Sequence, residues 1–449
     1  MPKLEFTRTV TVDLDGMVGI DDLERSALEF ARSAPAALIA STVEELVEAL
    51  VTEVCGPFGM PTADDEQVAA PWACPRCGSL QGFRRRGAQV RRRGLTSQVG
   101  RIEVASKMIS CRSCGARFSP LSQLLGLTPR QRRTDGLAQA TAALAVEVAY
   151  AKASRLLAEV GGVSVSPRTI RRDVIDHAPE RIAPRSNITT VPVLLFDGTG
   201  ERAGATKGGV ALNLAIGIVA RTSAAGRTTC SVELLGATLG ESWPVLFDLV
   251  AHITPGLIVV DGEEELSTLC GDRFATVPRQ RCLWHLSRAM VKLLRYKDRV
   301  PAGIVDDAVA NLETLLANAW AERDLDLALE CLDLLADSIE LDGGHAAASH
   351  LRNARDEVFT FLANPTAGHL VTGHKGRPDV GTGVLERVMR EMNRRSDVGV
   401  RWSIPGIRAI LMTKLEHKYH HGRWSTTRAA DYPPKVRFSL EPLPQPAAA

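Results

Sequence analysis

A mixed α/β sheet carrying an all-helical insertion is the fold class predicted for the larger part of this chain, with a cysteine-paired segment and a helical unit ahead of it. Three observations predict it. Two short apolar runs, Val193-Leu194-Leu195-Phe196 and Leu257-Ile258-Val259-Val260, each end on an aspartate and have the length of buried strands. Between them lie two further strand-like stretches, Gly209–Arg221 and Arg227–Ala237, joined by a plausible hairpin turn from Ser223 to Gly226. From Trp284 to about Leu362 the chain is rich in Leu and Ala at helical spacing.

The elements follow in order. Val191–Asp197 is the first strand of the unit, and the two strands of the hairpin come next. Glu241–His252 has the pattern of an amphipathic helix. Leu257–Asp261 is a compact strand, Glu263–Leu269 a short helix and Arg279–Cys282 a final strand. After the helical insertion, Val384–Arg395 is predicted as a helix. Hairpins followed by βα units imply a mixed sheet covered by helices, and this is the element order of the ribonuclease H fold.

The whole chain of 449 residues has room for two to four domains. Its expected division is an acidic α/β segment at 1–55, a linker at 56–70, a cysteine-paired ribbon at 71–127 and a helical unit at 128–187. The sheet follows in two parts, 188–285 and 371–425, around an insertion at 286–370, with a disordered Pro- and Ala-rich tail at 426–449. Residues 1–55 are expected to hold a short strand and two helices, near 20–33 and 41–54. No apolar run reaches the roughly 18 residues of a membrane helix, so no membrane partner is expected. The first residues, Lys3–Asp13, resemble a strand rather than a signal peptide, and the expected location is the cytoplasm, in association with the nucleoid.

Net charge is only +2, but its distribution is uneven. Residues 1–70 hold 14 acidic and 4 basic side chains, whereas residues 74–114 hold 10 basic ones and a single acid, Glu103. The basic stretch suits a polyanion, and the acidic head suits a protein-facing surface or a shield for the basic part.

Four of the nine cysteines form two pairs, Cys74-Pro-Arg-Cys77 and Cys111-Arg-Ser-Cys114, each followed by glycine. Two such knuckles supply four thiolates, the tetrahedral set of a structural Zn²⁺ ion, and the intervening length accommodates a β-hairpin. The alternative is ordinary buried cysteines, but two pairs within one 41-residue window disfavour it. Between the knuckles stand Arg84, Arg85 and Arg86, then Arg91, Arg92 and Arg93. They suit phosphate contacts on DNA, or else form the solvated face of a hairpin.

Asp135–Tyr150 and Ala153–Val160 have helical spacing, closed by Gly161-Gly162. Ser166-Pro167 then supplies an N-cap and a first-turn proline to a helix that carries Arg168, Arg171 and Arg172 early. This pattern fits a helix-turn-helix with Pro167–Asp176 as its reading helix, and equally a structural connector.

Asp197 and Asp261 each follow an apolar strand and precede a glycine. Neighbouring strand ends would let the two share divalent metal, and hard oxygen ligands suit Mg²⁺. A simple Asp-Gly turn is the other explanation. A third acid is expected from a helix packed on the sheet. Glu386 lies at the edge of the stripe formed by Leu385, Val388, Met389 and Met392.

This ordered set of motifs resembles the bacterial Mutator-type DDE transposases over roughly residues 190–415. Asp197-Gly198 is similar to the first acidic motif and Asp261-Gly262 to the second. Cys282-Leu-Trp-His285 resembles the C-x-x-H element, and Glu386-Arg387, Arg394-Arg395 and Gly399 to Ser403 resemble the segment of the third acid. Gly383 stands where the family pattern leads to an expected Asn. The resemblance implies catalytic Asp197, Asp261 and Glu386 holding two Mg²⁺ or Mn²⁺ ions, and His285 at the active site with Cys282 in the core. Half of a second zinc site is the alternative for Cys282 and His285. It also implies binding of double-stranded transposon ends and target DNA, strand cleavage and transfer, and a homo-oligomer of at least two copies. Other functions compatible with the residues are a domesticated DNA-binding regulator, a non-transposing ribonuclease H-like nuclease and a zinc-stabilised structural protein.

Overall fold

The computed structural model describes residues 20–57, 68–128, 130–184, 188–203, 209–222, 228–364, 383–396 and 402–420. The predicted N-terminal strand, the linker, the 223–226 turn and the C-terminal tail all fall wholly or mainly outside these residues. Two compact units divide the chain, one of residues 1–144 and 149–173, the other of 145–148 and 174–449.

The first unit opens with α1, Ile20–Cys55, one continuous helix of 36 residues where two were expected. Pro35 lies inside it, a position that costs about 3 kcal/mol in a helix interior. Flanking alanines, among the strongest helix formers, lessen the break. From Ala36 onward the helix also buries Ala36, Val47, Val51 and Val54 in the core of the unit, so packing carries the helix through the proline. The opposing surface is an antiparallel sheet of β1, Phe83–Ser97, β2, Gly100–Cys111, and β3, Arg117–Phe118, in that order. Trp72, Phe83, Ile102, Val104, Ile109 and Phe118 fill the space between. A short helix α2, Leu121–Leu124, precedes α3, Asp135–Glu147, α4, Tyr150–Glu159, and α5, Pro167–His177.

The second unit is built on β4, Thr190–Glu201, β5, Val210–Thr222, and β6, Thr228–Leu239. Then come α6, Trp243–Val250, β7, Thr254–Val260, α7, Glu264–Arg273, and β8, Arg279–Arg281. This order of three strands, helix, strand, helix and strand is the one expected. The sheet order is β6-β5-β4-β7-β8, with β4, β5 and β6 antiparallel and β4, β7 and β8 parallel. Strand β4 is longer than expected. It runs past Asp197 to Glu201 because β5 continues to pair with it as far as Glu201 opposite Val210.

On one face of the sheet Leu194, Phe196, Ile258 and Val260 meet α6 and α7, and Phe196 stacks on Phe247 with ring centroids 4.4 Å apart. The helical insertion follows as α8, Leu283–Lys292, α9, Ala302–Glu322, α10, Leu325–Leu341, α11, His345–Asn353, α12, Arg355–Val358, and α13, Thr360–Ala363. It has a core of its own, centred on Leu286, Leu312, Leu332, Ala336 and Leu351. Its exit docks on the edge strand β8. Gln280, fully buried, donates to the Val358 carbonyl and accepts from the Phe361 amide, and Thr360 donates to the Arg279 carbonyl. Two helices, α14, Gly383–Ser396, and α15, Ile404–Leu415, complete the unit.

Candidate functional site

The four cysteines meet. Their sulfurs all lie within 4.8 Å of one another, with Cys74 and Cys114 at 3.5 Å and Cys77 and Cys111 at 3.7 Å. A tetrahedron with Zn–S bonds of about 2.3 Å needs sulfurs about 3.8 Å apart, so the quartet fits one zinc ion. The two knuckles match: Gly78 donates to the Cys74 carbonyl and Gly115 to the Cys111 carbonyl, each at 2.9 Å, and both glycines have φ of +72°. A residue with a Cβ would be strained at either position. Burial opposes charge on Cys74, yet the amides of Cys77 and Arg76 and the adjacent sulfurs bring it down to about 6. The Ser79 amide favours charge on Cys77, but the sulfurs of Cys114 and Cys74 push that thiol up to about 12. Gathered at this spacing, the four sulfurs could hold one zinc ion.

The arginines between the knuckles divide by role. Arg85 binds the Gly56 carbonyl and Thr52 and pairs with Glu48 at 2.6 Å, and Arg93 binds Ser122 and the carbonyls of Thr128 and Gln131. These two tie the hairpin to its own unit. A register shift between Arg85 and Val90 breaks the strand alternation. Arg84, Arg91 and Arg92 remain exposed, and Arg86 is half-buried. On α5, the hydroxyl of Ser166 caps the helix at the Thr169 amide, 3.2 Å, and Arg168, Arg171 and Arg172 are all exposed.

In the second unit, β4 and β7 are parallel neighbours with Leu195 opposite Val259. Asp197 and Asp261 each lie two residues further on. Both therefore sit on the face of Leu195 and Val259, roughly 5 Å apart along the ladder direction. Asp197 is 3% exposed and accepts from the Gly198 amide at 2.8 Å. Asp261, half-buried, accepts from the Glu263 amide at 2.8 Å. Beside it, burial and then the charge of Asp261 raise the pKa of Glu263.

Glu386 stands in the first turn of α14, half-buried. The last turns of α14 are held at the far end of β4. Asn393, its amide nitrogen turned toward Glu201, lies 2.8 Å from Oε1, and Trp402, bridged to Ala203, donates to the Ser396 carbonyl. Leu385, Val388, Met389 and Met392 are all buried, so this face of α14 packs into the unit, in contact with β4. Glu201 shares the strand face of Asp197, and Glu386 shares the helix face of Asn393, seven residues before it. Among the described residues the cysteine quartet is the one group of three or more Cys, His, Asp or Glu gathered closely enough to hold a metal ion; Asp197, Asp261 and Glu386 do not form such a group. Carboxylate oxygens are hard donors of the type that suits Mg²⁺ or Mn²⁺, ions that keep several waters when bound.

Cys282 is fully buried, and its amide donates to the Val260 carbonyl, which starts α8 beside Asp261. His285, half-buried, lies in the first turn of α8 with its ring against Trp284. Sequence reasoning missed Arg281 and Glu357. Arg281 donates to the Asp261 carbonyl at 3.4 Å and pairs with Glu357 at 3.1 Å. The signal for Arg281 was its place at the end of a strand next to that of Asp261; Glu357, deep in a helical stretch, gave none.

The family model for the Mutator-family transposases matches residues 76–414. The chain belongs to the Mutator family of transposases. The match reaches well ahead of the 190–415 segment in which the motifs are legible, and covers most of the ribbon and the α3–α5 helices of this transposase-family chain. No curated protein matches it. Within the described residues of this family member, no helix is long and apolar enough to cross a membrane.

Proposed function

We propose that this chain is a DDE transposase that binds the terminal inverted repeats of a mobile element and catalyses DNA strand cleavage and strand transfer. Family membership carries the reading, and the parallel pairing of β4 with β7, which ends two residues short of Asp197 and Asp261, supports its chemistry. The sheet order β6-β5-β4-β7-β8 and the insertion between β8 and α14 support a ribonuclease H-like catalytic domain. The exposed Arg84, Arg91, Arg92, Arg168, Arg171 and Arg172 are the phosphate contacts, with α5 as the reading helix of a helix-turn-helix.

Asp197, Asp261 and Glu386 would hold two Mg²⁺ or Mn²⁺ ions, which supply an acidified water and charge neutralisation at phosphate. The carboxylates orient the reacting groups, and His285 contacts the scissile phosphate or orients a ligand from the first turn of α8. In the first step a water oxygen bonds to phosphorus and the P–O3′ bond breaks, freeing a 3′-hydroxyl. In the second, that hydroxyl bonds to a target phosphorus and displaces its 3′ oxygen. One phosphodiester replaces another, so no protein nucleophile is needed. Joining two ends requires at least a dimer, working on the chromosome in the cytoplasm.

The test is cleavage and joining by purified protein of DNA bearing the gene's own flanking ends, with Mg²⁺ or Mn²⁺. Cleavage is expected from the wild type and lost in Asp197→Ala, Asp261→Ala and Glu386→Ala, with end binding retained. Tight end binding without cleavage under either metal would instead indicate a DNA-binding regulator.

A further inference from the structure

Arg281 and Gly262 fit together. Gly262 has φ of +88°, and a Cβ built there would fall 0.9 Å from Nη1 of Arg281. The guanidinium thus lies against the Cα of the residue that follows Asp261, and it donates to the Asp261 carbonyl rather than to the carboxylate. It is held there by Glu357 of α12, the exit of the insertion. One carboxylate oxygen of Glu357 lies 3.1 Å from Arg281 and the other 3.4 Å from Arg279, whose own Nη1 donates to the Ser267 carbonyl on α7. The side chains of Arg281 and Glu357 are 9% and 14% exposed, so the pair is sheltered from water.

We propose that Arg281 is a positioning residue for the second acid, clamped by Glu357, so that the exit of the helical insertion sets the Asp261–Gly262 turn and the aim of the Asp261 carboxylate. This rests on Asp261 being a metal ligand, as the proposed function has it. Arginine suits the task because its planar fork binds the turn and Glu357 at once, whereas lysine reaches only one of them. His350, kept neutral by burial and by the charge of Arg281, adds no competing cation.

The experiment is Mn²⁺ binding to the full-length, zinc-loaded protein, read by electron paramagnetic resonance without DNA. Wild type, Asp261→Ala, Arg281→Ala, Arg281→Lys and Glu357→Gln are compared, with melting temperature and end-DNA binding measured on each. Loss of an outer group that orients a metal ligand typically weakens the metal about 10- to 100-fold. Arg281→Ala is expected in that range, Glu357→Gln nearer its lower end, and Arg281→Lys between wild type and alanine, all with end-DNA binding unchanged. Wild-type Mn²⁺ affinity in folded Arg281→Ala or in Glu357→Gln would overturn the proposal while leaving Asp261 a ligand. Should Arg281→Ala not fold, Glu357→Gln decides alone. If Asp261→Ala itself binds Mn²⁺ like the wild type, the ligand assignment fails, and this inference with it.

Discussion

Lys414 shows how single residues hold the second unit together. Its side chain is 2% exposed, and it pairs with Glu147 at 3.2 Å and Glu391 at 3.3 Å, while Lys418 reaches Glu391 at 2.9 Å. A buried charge that loses a partner is left poorly solvated, so Glu391→Gln is expected to destabilise this unit by about 3 kcal/mol, read as a lower melting temperature. Lys418 first, and then Lys414, hold the Glu391 carboxyl below its usual value of 4.5. A lowered carboxyl stabilises the fold above the unfolded value, and that contribution vanishes as pH falls through the folded one. The difference in melting temperature between wild type and Glu391→Gln should therefore be full at neutral pH and shrink below pH 4.5. A constant difference down to strong acid would show that packing rather than charge is responsible. Gly262→Ala is the second residue-scale case. It combines an unfavourable φ with a collision against Arg281, and is expected to weaken Mn²⁺ binding more than Gly271→Ala, where the added Cβ meets nothing within 4 Å.

At the scale of elements, the β1–β2 hairpin carries both arginines that tie it to its own unit and arginines that are exposed. Replacing Arg91 and Arg92 with Ala is expected to leave the melting temperature within a degree or two. End-DNA affinity should fall, and the salt-dependence slope should drop by about two, one for each lost phosphate contact. Replacing Arg85 should do the reverse, because its loss strands Glu48 and uncaps the Gly56 carbonyl at the end of α1. Equal effects of the two changes on DNA affinity would refute this division. The two knuckles supply one quartet, so Cys77→Ser is expected to abolish zinc binding by the protein, measured by metal analysis.

For the whole molecule, the two compact units have separate apolar cores, one between α1 and β2 and the other between the five-stranded sheet and the helices α6 and α7. A zinc ion held by the cysteine quartet would stabilise only the first. In calorimetry, a strong zinc chelator is expected to lower or remove one transition and to leave a second in place. A single transition that moves as one would mean that the units unfold together. The Phe196–Phe247 stack belongs to the second unit, so substitutions there should move only the transition that resists chelation.

Local chemistry made much of this molecule legible in the sequence. Apolar runs ending on Asp197 and Asp261, alternating strands and the Leu- and Ala-rich insertion determine element type and order, because periodicity and burial act over a few residues. The cysteine pairs determined their own cluster, since each knuckle is a closed local turn. What the sequence left undecided depends on residues distant in the chain. Helix α1 continues through Pro35 because its far half is buried, and β4 outruns Asp197 because β5 is long enough to pair with it. Arg85 and Arg92 look alike in sequence, yet Arg85 reaches Glu48 and the Gly56 carbonyl at the end of α1 while Arg92 is exposed, because only the packing of α1 on the sheet gives Arg85 its partners. Likewise only the folded chain brings Glu357 to Arg281, across 75 intervening residues. Such pairing follows from the closure of the sheet and the return of the insertion onto its edge, and no local pattern encodes it.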